Sequence, residues 1–153
     1  MREEDVTKAI LKWLLKNKWE IVCFDFPQSG TGRFLHPNKA VAEKNKGAIN
    51  PDIVAFRNNV CLFFENKDHY YLPDFEKLYS LKTENDYSDD IDKLLAAYSV
   101  ERTYYGIGLP VSKYGHQAEE NAHLVDFVLG VDDDLSVVFL YYSGDYLEEE
   151  KNE

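Results

Sequence analysis

Two acidic residues and a lysine combine the side-chain types that can bind a metal ion beside a phosphate: Asp52, Glu65 and Lys67. If the two carboxylates lie opposite each other, their like charges destabilise the pair unless a cation compensates them. With the backbone carbonyl of Asn66 they form a set of hard oxygen ligands suited to Mg²⁺, for which Mn²⁺ can substitute, and waters and a substrate phosphate complete the octahedron. The Lys67 ammonium then either stabilises charge that develops on the phosphate or helps to deprotonate a metal-bound water, and the sequence leaves both roles open.

A β-hairpin is predicted to position these three residues. Two apolar segments with strand-like composition, 51–57 and 60–67, are separated by Asn58 and Asn59. Asparagine tolerates the left-handed backbone that a two-residue type I′ turn requires. In that register the two carboxylates are direct cross-strand neighbours with Cβ atoms about 4.5–5.5 Å apart. Lys67 is two residues beyond the second carboxylate, so its side chain emerges on the same face.

The remaining elements predict one α/β domain over residues 1–145, a mixed β-sheet flanked by helices, followed by an acidic C-terminal tail over 146–153. The first helix is amphipathic, because Val6, Ile10 and Leu14 recur at helical spacing. The predicted elements are a helix over 3–17, a strand over 19–26, a helix or turn over 73–82, a helix over 89–99 capped by Ser88, a strand over 103–109 and a C-terminal hairpin over 124–131 and 135–142 turned by Asp132–Asp134.

Pro51-Asp52 followed by Glu65-Asn66-Lys67 resembles the signature of the PD-(D/E)xK nuclease superfamily. The predicted order of elements is similar to the core of that restriction-endonuclease-like fold, over roughly residues 2–109. The layout is closest to the VRR-NUC and Holliday-resolvase-like branches, because the segment 2–6 (Arg-Glu-Glu-Asp-Val) precedes an apolar helix and Lys46-Gly47 precedes Pro51-Asp52. Asn66 departs from the usual apolar middle residue, and the glutamine usual in VRR-NUC proteins does not follow the lysine.

The resemblance implies a Mg²⁺-dependent hydrolase, an endonuclease that cleaves phosphodiester bonds. Asp52 and Glu65 would bind the metal ion, and Lys67 would be the catalytic lysine. A glutamate of the first helix, Glu3 or alternatively Glu4, would be an auxiliary metal ligand. Helix phase favours Glu3, which is seven residues before the core position Ile10.

The net charge of −11 is divided unequally along the chain. Residues 1–67 hold 11 basic and 8 acidic side chains, a net +3, whereas residues 68–153 hold 6 basic and 20 acidic side chains, a net −14. The first part contains every residue placed at the metal–phosphate site, so the total charge does not exclude DNA binding. A long polar stretch over 27–49 carries most of the positive excess, and its basic residues are predicted to bind substrate: Arg33, Lys39, Lys44 and Lys46.

Two function classes fit these patterns. The first is a DNA nuclease of repair, recombination, restriction or phage metabolism, for which a homodimer is expected because small enzymes that cut both strands are commonly symmetric dimers. The second is a non-catalytic acidic module, a DNA mimic or protein-interaction subunit that binds a protein partner through the 68–153 surface. A cytoplasmic protein of prokaryotic or phage origin is expected, because Cys23 and Cys61 lie in apolar strands and neither a signal-peptide core nor a membrane span occurs.

Overall fold

The computed structural model describes residues 1–25, 35 and 50–148. In these parts of the chain six strands form one sheet, in which the spatial order follows the sequence. The elements are α1 (Glu3–Lys16), β1 (Glu20–Phe24), β2 (Ile53–Arg57), β3 (Val60–Asn66), α2 (Leu72–Thr83), α3 (Ser88–Leu94), β4 (Arg102–Pro110), α4 (His116–Asn121), β5 (Phe127–Val131) and β6 (Val137–Tyr142), with single 3₁₀ turns at Val111–Lys113 and Ala122–Leu124.

The central hairpin has the predicted register. Arg57 pairs with Val60, and the antiparallel ladder continues to Ile53 opposite Phe64. Asn58 and Asn59 both have positive φ, 51° and 67°, as a type I′ turn requires. β3 and β4 pair in parallel, as do β4 and β5, and the β5–β6 hairpin closes the sheet antiparallel. The predicted mixed sheet flanked by helices, with a C-terminal hairpin, is therefore confirmed, and it is compatible with a restriction-endonuclease-like fold.

Side chains of β3 alternate between two core layers. Leu62 and Phe64 pack in the cluster that includes α1, whereas Cys61 and Phe63 pack in the cluster that includes α2. Period-two alternation therefore directs Glu65 toward α2 and Asn66 toward α1. This strand end, where the next side chains are polar, lies between the two helices.

Several boundaries differ from the sequence-based expectation. Helix α3 ends at Leu94 rather than at residue 99, and Tyr87, not Ser88, is its N-cap. The chain must enter β4 soon afterwards, where the backbone N–H groups of Glu101 and Arg102 donate to the Asn59 carbonyl. Helix α4 was not predicted, because its six residues place a single alanine, Ala118, in the core and so show no apolar periodicity.

The C-terminal boundary lies within a packed segment. Tyr146 and Leu147, which open the predicted acidic tail, are buried against the α1 side of the sheet, and Tyr146 stacks on Tyr104 with ring centroids 3.6 Å apart. The division into a domain over 1–145 and a tail over 146–153 stays a prediction, since residues 149–153 lie outside the described part. None of the described helices combines the length and the apolar composition that crossing a bilayer demands.

Candidate active site

Asp52 and Glu65 meet where β2 begins and β3 ends. The Asp52 N–H donates to the Phe64 carbonyl at 3.0 Å, which extends the hairpin ladder one residue beyond β2. The Asn66 N–H donates to Asp52 Oδ2 at 2.7 Å, and the carboxyls of Glu65 and Asp52 hydrogen-bond to each other. Glu65 is only 5% exposed. The hairpin register thus brings two carboxyl groups into direct contact in a poorly solvated place.

Burial makes this pair hold protons unusually tightly. Burial, aided by the charges of Glu3 and Asp74, raises the pKa of Asp52 to about 7, against the favourable hydrogen bond from Asn66. Burial and the neighbouring Asp52 charge raise the pKa of Glu65 well above its usual range. Burial therefore disfavours two negative charges side by side, and a bound proton is one way to remove one of them. A divalent cation offers the alternative compensation, with the proton released.

Lys67 lies beside the pair and touches the first helix. Its Nζ is 3.5 Å from Glu3 Oε1 and 5.0 Å from the centre of the Tyr71 ring. Burial lowers the pKa of Lys67, but the carboxylates of Asp74 and Glu3 outweigh that effect and raise it. The ammonium is charged at neutral pH, so this geometry favours charge stabilisation over proton abstraction from a water.

The two glutamates at the start of α1 have different surroundings. Glu3 faces Lys67 and is close enough to Asp52 to raise its pKa. Glu4 lies at the flank, with Oε1 2.9 Å from Lys8 Nζ and Oε2 3.9 Å from Arg2. Of the two candidates for an auxiliary ligand, the structure therefore brings Glu3 to the site.

Helix α2 contributes two charged residues that the sequence patterns did not predict at the site. Lys77 Nζ lies 3.3 Å from Glu65 Oε1 and 3.7 Å from Asp74 Oδ1. Asp74 is 4% exposed, and burial raises its pKa. Both belong to the acidic part of the chain, so residues 1–67 do not supply every charged group around the carboxyl pair. Asp74 follows Pro73 in a first helical turn, where an acid is ordinary, and only its burial distinguishes it.

Asn66 connects the site to the opposite layer. Its side chain is fully buried on the α1 face, where Nδ2 donates to Thr7 Oγ1 at 3.1 Å, while Oδ1 has no hydrogen-bond partner among the described residues. The polar middle residue of the triplet thus joins β3 to α1, and its backbone N–H simultaneously fixes Asp52. The role of its backbone carbonyl as a metal ligand stays a prediction.

The charge and chemistry of the cluster fit one divalent cation. Four acids surround the site and two lysines oppose them, a formal balance of −2: Glu3, Asp52, Glu65 and Asp74 against Lys67 and Lys77. Among the described residues no group of three His, Cys, Asp or Glu side chains is arranged to enclose a metal. Two carboxylates completed by waters and a carbonyl are the open type of site that Mg²⁺ accepts.

The four predicted substrate-binding residues, Arg33, Lys39, Lys44 and Lys46, lie outside the described part, so their role stays a prediction. The described residues on either side of this segment show where the chain enters it and where the chain leaves it. The Asp25 N–H donates to the Asp52 carbonyl at 2.8 Å, and Asn50 Nδ2 donates to Asp25 Oδ2 at 2.9 Å. Leu35, within the segment, is buried in the α2-side layer. The described residues that flank the basic segment, Asp25 and Asn50, therefore lie beside Asp52.

Comparisons with known proteins add a single weak similarity. No protein-family model matches the sequence, and no curated protein matches it. Among solved structures, an XisH family protein from Nostoc punctiforme is similar to this chain with a TM-score of 0.45 and 14% sequence identity, over 90% of this chain and 99% of that chain. At this level of similarity, function has to be argued from the geometry of the site.

Proposed function

We propose that this protein is a metal-dependent nuclease that hydrolyses phosphodiester bonds in DNA. One observation carries the proposal: Asp52 and Glu65 are held in contact at the end of a buried hairpin, with the Lys67 ammonium beside them. Two carboxyl groups in so little solvent destabilise the folded protein when both are charged. A divalent ion removes that repulsion, and the same ion attracts a phosphate.

Each residue has a defined part in the proposed reaction. Asp52 and Glu65 would hold Mg²⁺, which when bound polarises the scissile phosphate and lowers the pKa of a coordinated water. The Lys67 ammonium stabilises the extra negative charge on the phosphoryl oxygens as the bond breaks. Glu3 keeps this ammonium oriented through their 3.5 Å ion pair. The Asn66 N–H fixes the Asp52 carboxylate, so the acid is oriented before substrate arrives.

The test is DNA cleavage by purified protein in Mg²⁺, in Mn²⁺ and in EDTA, on supercoiled, linear and single-stranded substrates. Wild-type protein should cleave only with a divalent ion, and Asp52→Asn, Glu65→Gln and Lys67→Met should each lose the activity. Glu3→Gln and Glu4→Gln form a matched pair, since adjacent glutamates differ in whether they face Lys67. Only the first should slow cleavage. Wild-type protein that cuts no DNA with either ion contradicts the proposal.

The acidic half supports a second candidate, a non-catalytic module that binds a basic protein as a DNA mimic. Helix α3 carries two aspartates in its first turn and buries none of its residues, and the 68–153 part carries a net −14. Thermal unfolding distinguishes the two functions. A nuclease should be stabilised by Mn²⁺ through Asp52 and lose this response in Asp52→Asn, whereas a mimic should unfold at the same temperature with and without the ion.

A further inference from the structure

A second cation-binding arrangement lies next to the proposed metal pair. The Lys77 ammonium bridges two acids, with Nζ 3.3 Å from Glu65 Oε1 and 3.7 Å from Asp74 Oδ1. Both acids are at least nine-tenths buried, at 5% and 4% exposure. Glu65 therefore contacts Asp52 through one interaction and a fixed positive charge through another. The ammonium occupies a position in which a free cation would contact two carboxylates.

Asp74 has more binding capacity than Lys77 uses. Its Oδ2 is buried and lacks any hydrogen-bond partner within the described residues. A buried carboxylate oxygen without a partner is costly, and such atoms in folded proteins call for an explanation. A plain structural ion pair leaves this oxygen unexplained. Asp74 therefore keeps a buried binding atom next to the ammonium that it shares with Glu65.

We infer that Lys77 is a tethered cation that fills a second cation position between Glu65 and Asp74, so that the site takes one divalent ion rather than two. The inference rests on the proposed metal-dependent function. The formal balance of −2 with Lys77 present matches one divalent ion. Neutralising residue 77 leaves −3, and the two acids then lose the ammonium that lies between them. A second divalent ion should bind there.

The experiment is a Mn²⁺ titration by calorimetry at pH 8 on the full chain, with bound ion counted independently by electron paramagnetic resonance. Wild-type protein should bind about one Mn²⁺ per chain, and Lys77→Met about two. Lys77→Gln is a second neutral variant that should also bind about two ions. It replaces Lys77→Met in the experiment if that variant does not fold. Lys77→Arg keeps the charge and should bind about one ion.

Two further variants locate the second ion. Lys77→Met combined with Asp74→Asn should return to about one ion, because the inferred position loses an acid. Lys82→Met is the matched control on the same helix, since it removes an ion pair with Asp126 at 2.7 Å that is not part of the site. It should bind about one ion.

The outcomes separate this inference from the proposed function. One ion in wild type and one in both neutral variants overturns the role of Lys77 and leaves the metal site standing. Two ions in wild type also overturn it. No ion in wild type but one in the Lys77 variants contradicts the metal-dependent function while keeping Lys77 as the resident cation. No ion in any variant overturns both.

Discussion

The two ends of strand β3 are equally buried and chemically opposite. The turn end carries Cys61, Leu62, Phe63 and Phe64, which fill both core layers. The other end carries Glu65 and the residue after it, Asn66, which are buried to the same degree. Apolar burial stabilises the first end, whereas burying charge at the second end opposes folding unless the charge is paired or neutralised. Burial at the turn end therefore stabilises the fold, whereas the polar end serves the proposed chemistry.

Each polar residue at that end is bound from a different side. Glu65 is held by Lys77 of α2, and Asn66 is held by Thr7 of α1. In the apolar part the same alternation merely distributes side chains between two cores. At the polar end it makes both helices part of the site. A substitution in either helix should therefore alter the geometry of the carboxyl pair.

The largest effect is expected from changing a single functional atom at the polar end. Glu65→Gln should lower the cleavage rate at least about 10³-fold, roughly 4 kcal/mol of transition-state stabilisation, because the neutral amide binds a divalent ion poorly. Its unfolding free energy in urea should be equal to or above that of wild type, since the buried charge is removed. Activity comparable to wild type would show that this end of β3 has no catalytic role.

Truncation of a side chain in the apolar part of β3 should have the opposite effect, a loss of stability with unchanged metal binding. Phe64→Ala removes a fully buried ring that packs edge-on against Phe127 with centroids 5.1 Å apart. The unfolding free energy should fall by about 3–5 kcal/mol in urea denaturation. The fraction that stays folded should keep the Mn²⁺ affinity of wild type. A cost below about 1 kcal/mol would mean that the turn end does not dominate stability.

Gly108 tests the connection between the two layers. A Cβ at this position would lie 2.2 Å from Ile10 Cδ1 and 2.4 Å from Asn66 Oδ1, so both side chains have to move. Gly108→Ala should therefore lower the unfolding free energy by about 1–3 kcal/mol. It should also weaken Mn²⁺ binding about tenfold, because Asn66 positions Asp52. A loss of stability with unchanged Mn²⁺ affinity would separate Asn66 packing from the metal pair.

The smallest expected effect is a pH dependence of stability in EDTA. Burial raises the pKa of Asp52 to about 7 in the folded protein, whereas the unfolded chain has the ordinary value near 4. The folded state therefore binds more protons between these values, and the unfolding free energy should fall as pH rises from about 4 to about 7. We expect a decrease of about 1–2 kcal/mol in urea denaturation between pH 6 and pH 8. Asp52→Asn should make the profile less steep, and an equally steep profile in that variant would assign the effect to other groups.

The local sequence pattern was sufficient to predict the features that residues close together in the sequence determine. Asn58 and Asn59 predict the turn, the turn sets the register, and the register places Asp52 against Glu65. Helix phase likewise distinguishes Glu3 from Glu4. These inferences need only the periods of strands and helices.

The part that α2 plays depends on tertiary placement. The parallel crossover from β3 to β4 returns α2 over the sheet, and its packing decides that Asp74 and Lys77 reach Glu65. In the sequence alone Asp74 is one acid among many in a segment with a net −14. Nothing in its local pattern separates it from the solvated acids of α3, because burial is set by elements distant in sequence.

The most direct test of the central claim is a crystal structure of the protein soaked in Mn²⁺ above pH 7.5, with data collected at the manganese absorption edge. The proposed function predicts one anomalous peak per chain in contact with the carboxylates of Asp52 and Glu65, and no such peak in Asp52→Asn crystals treated identically. An empty carboxylate pair at millimolar Mn²⁺, with the Glu65–Asp52 hydrogen bond intact, would contradict it.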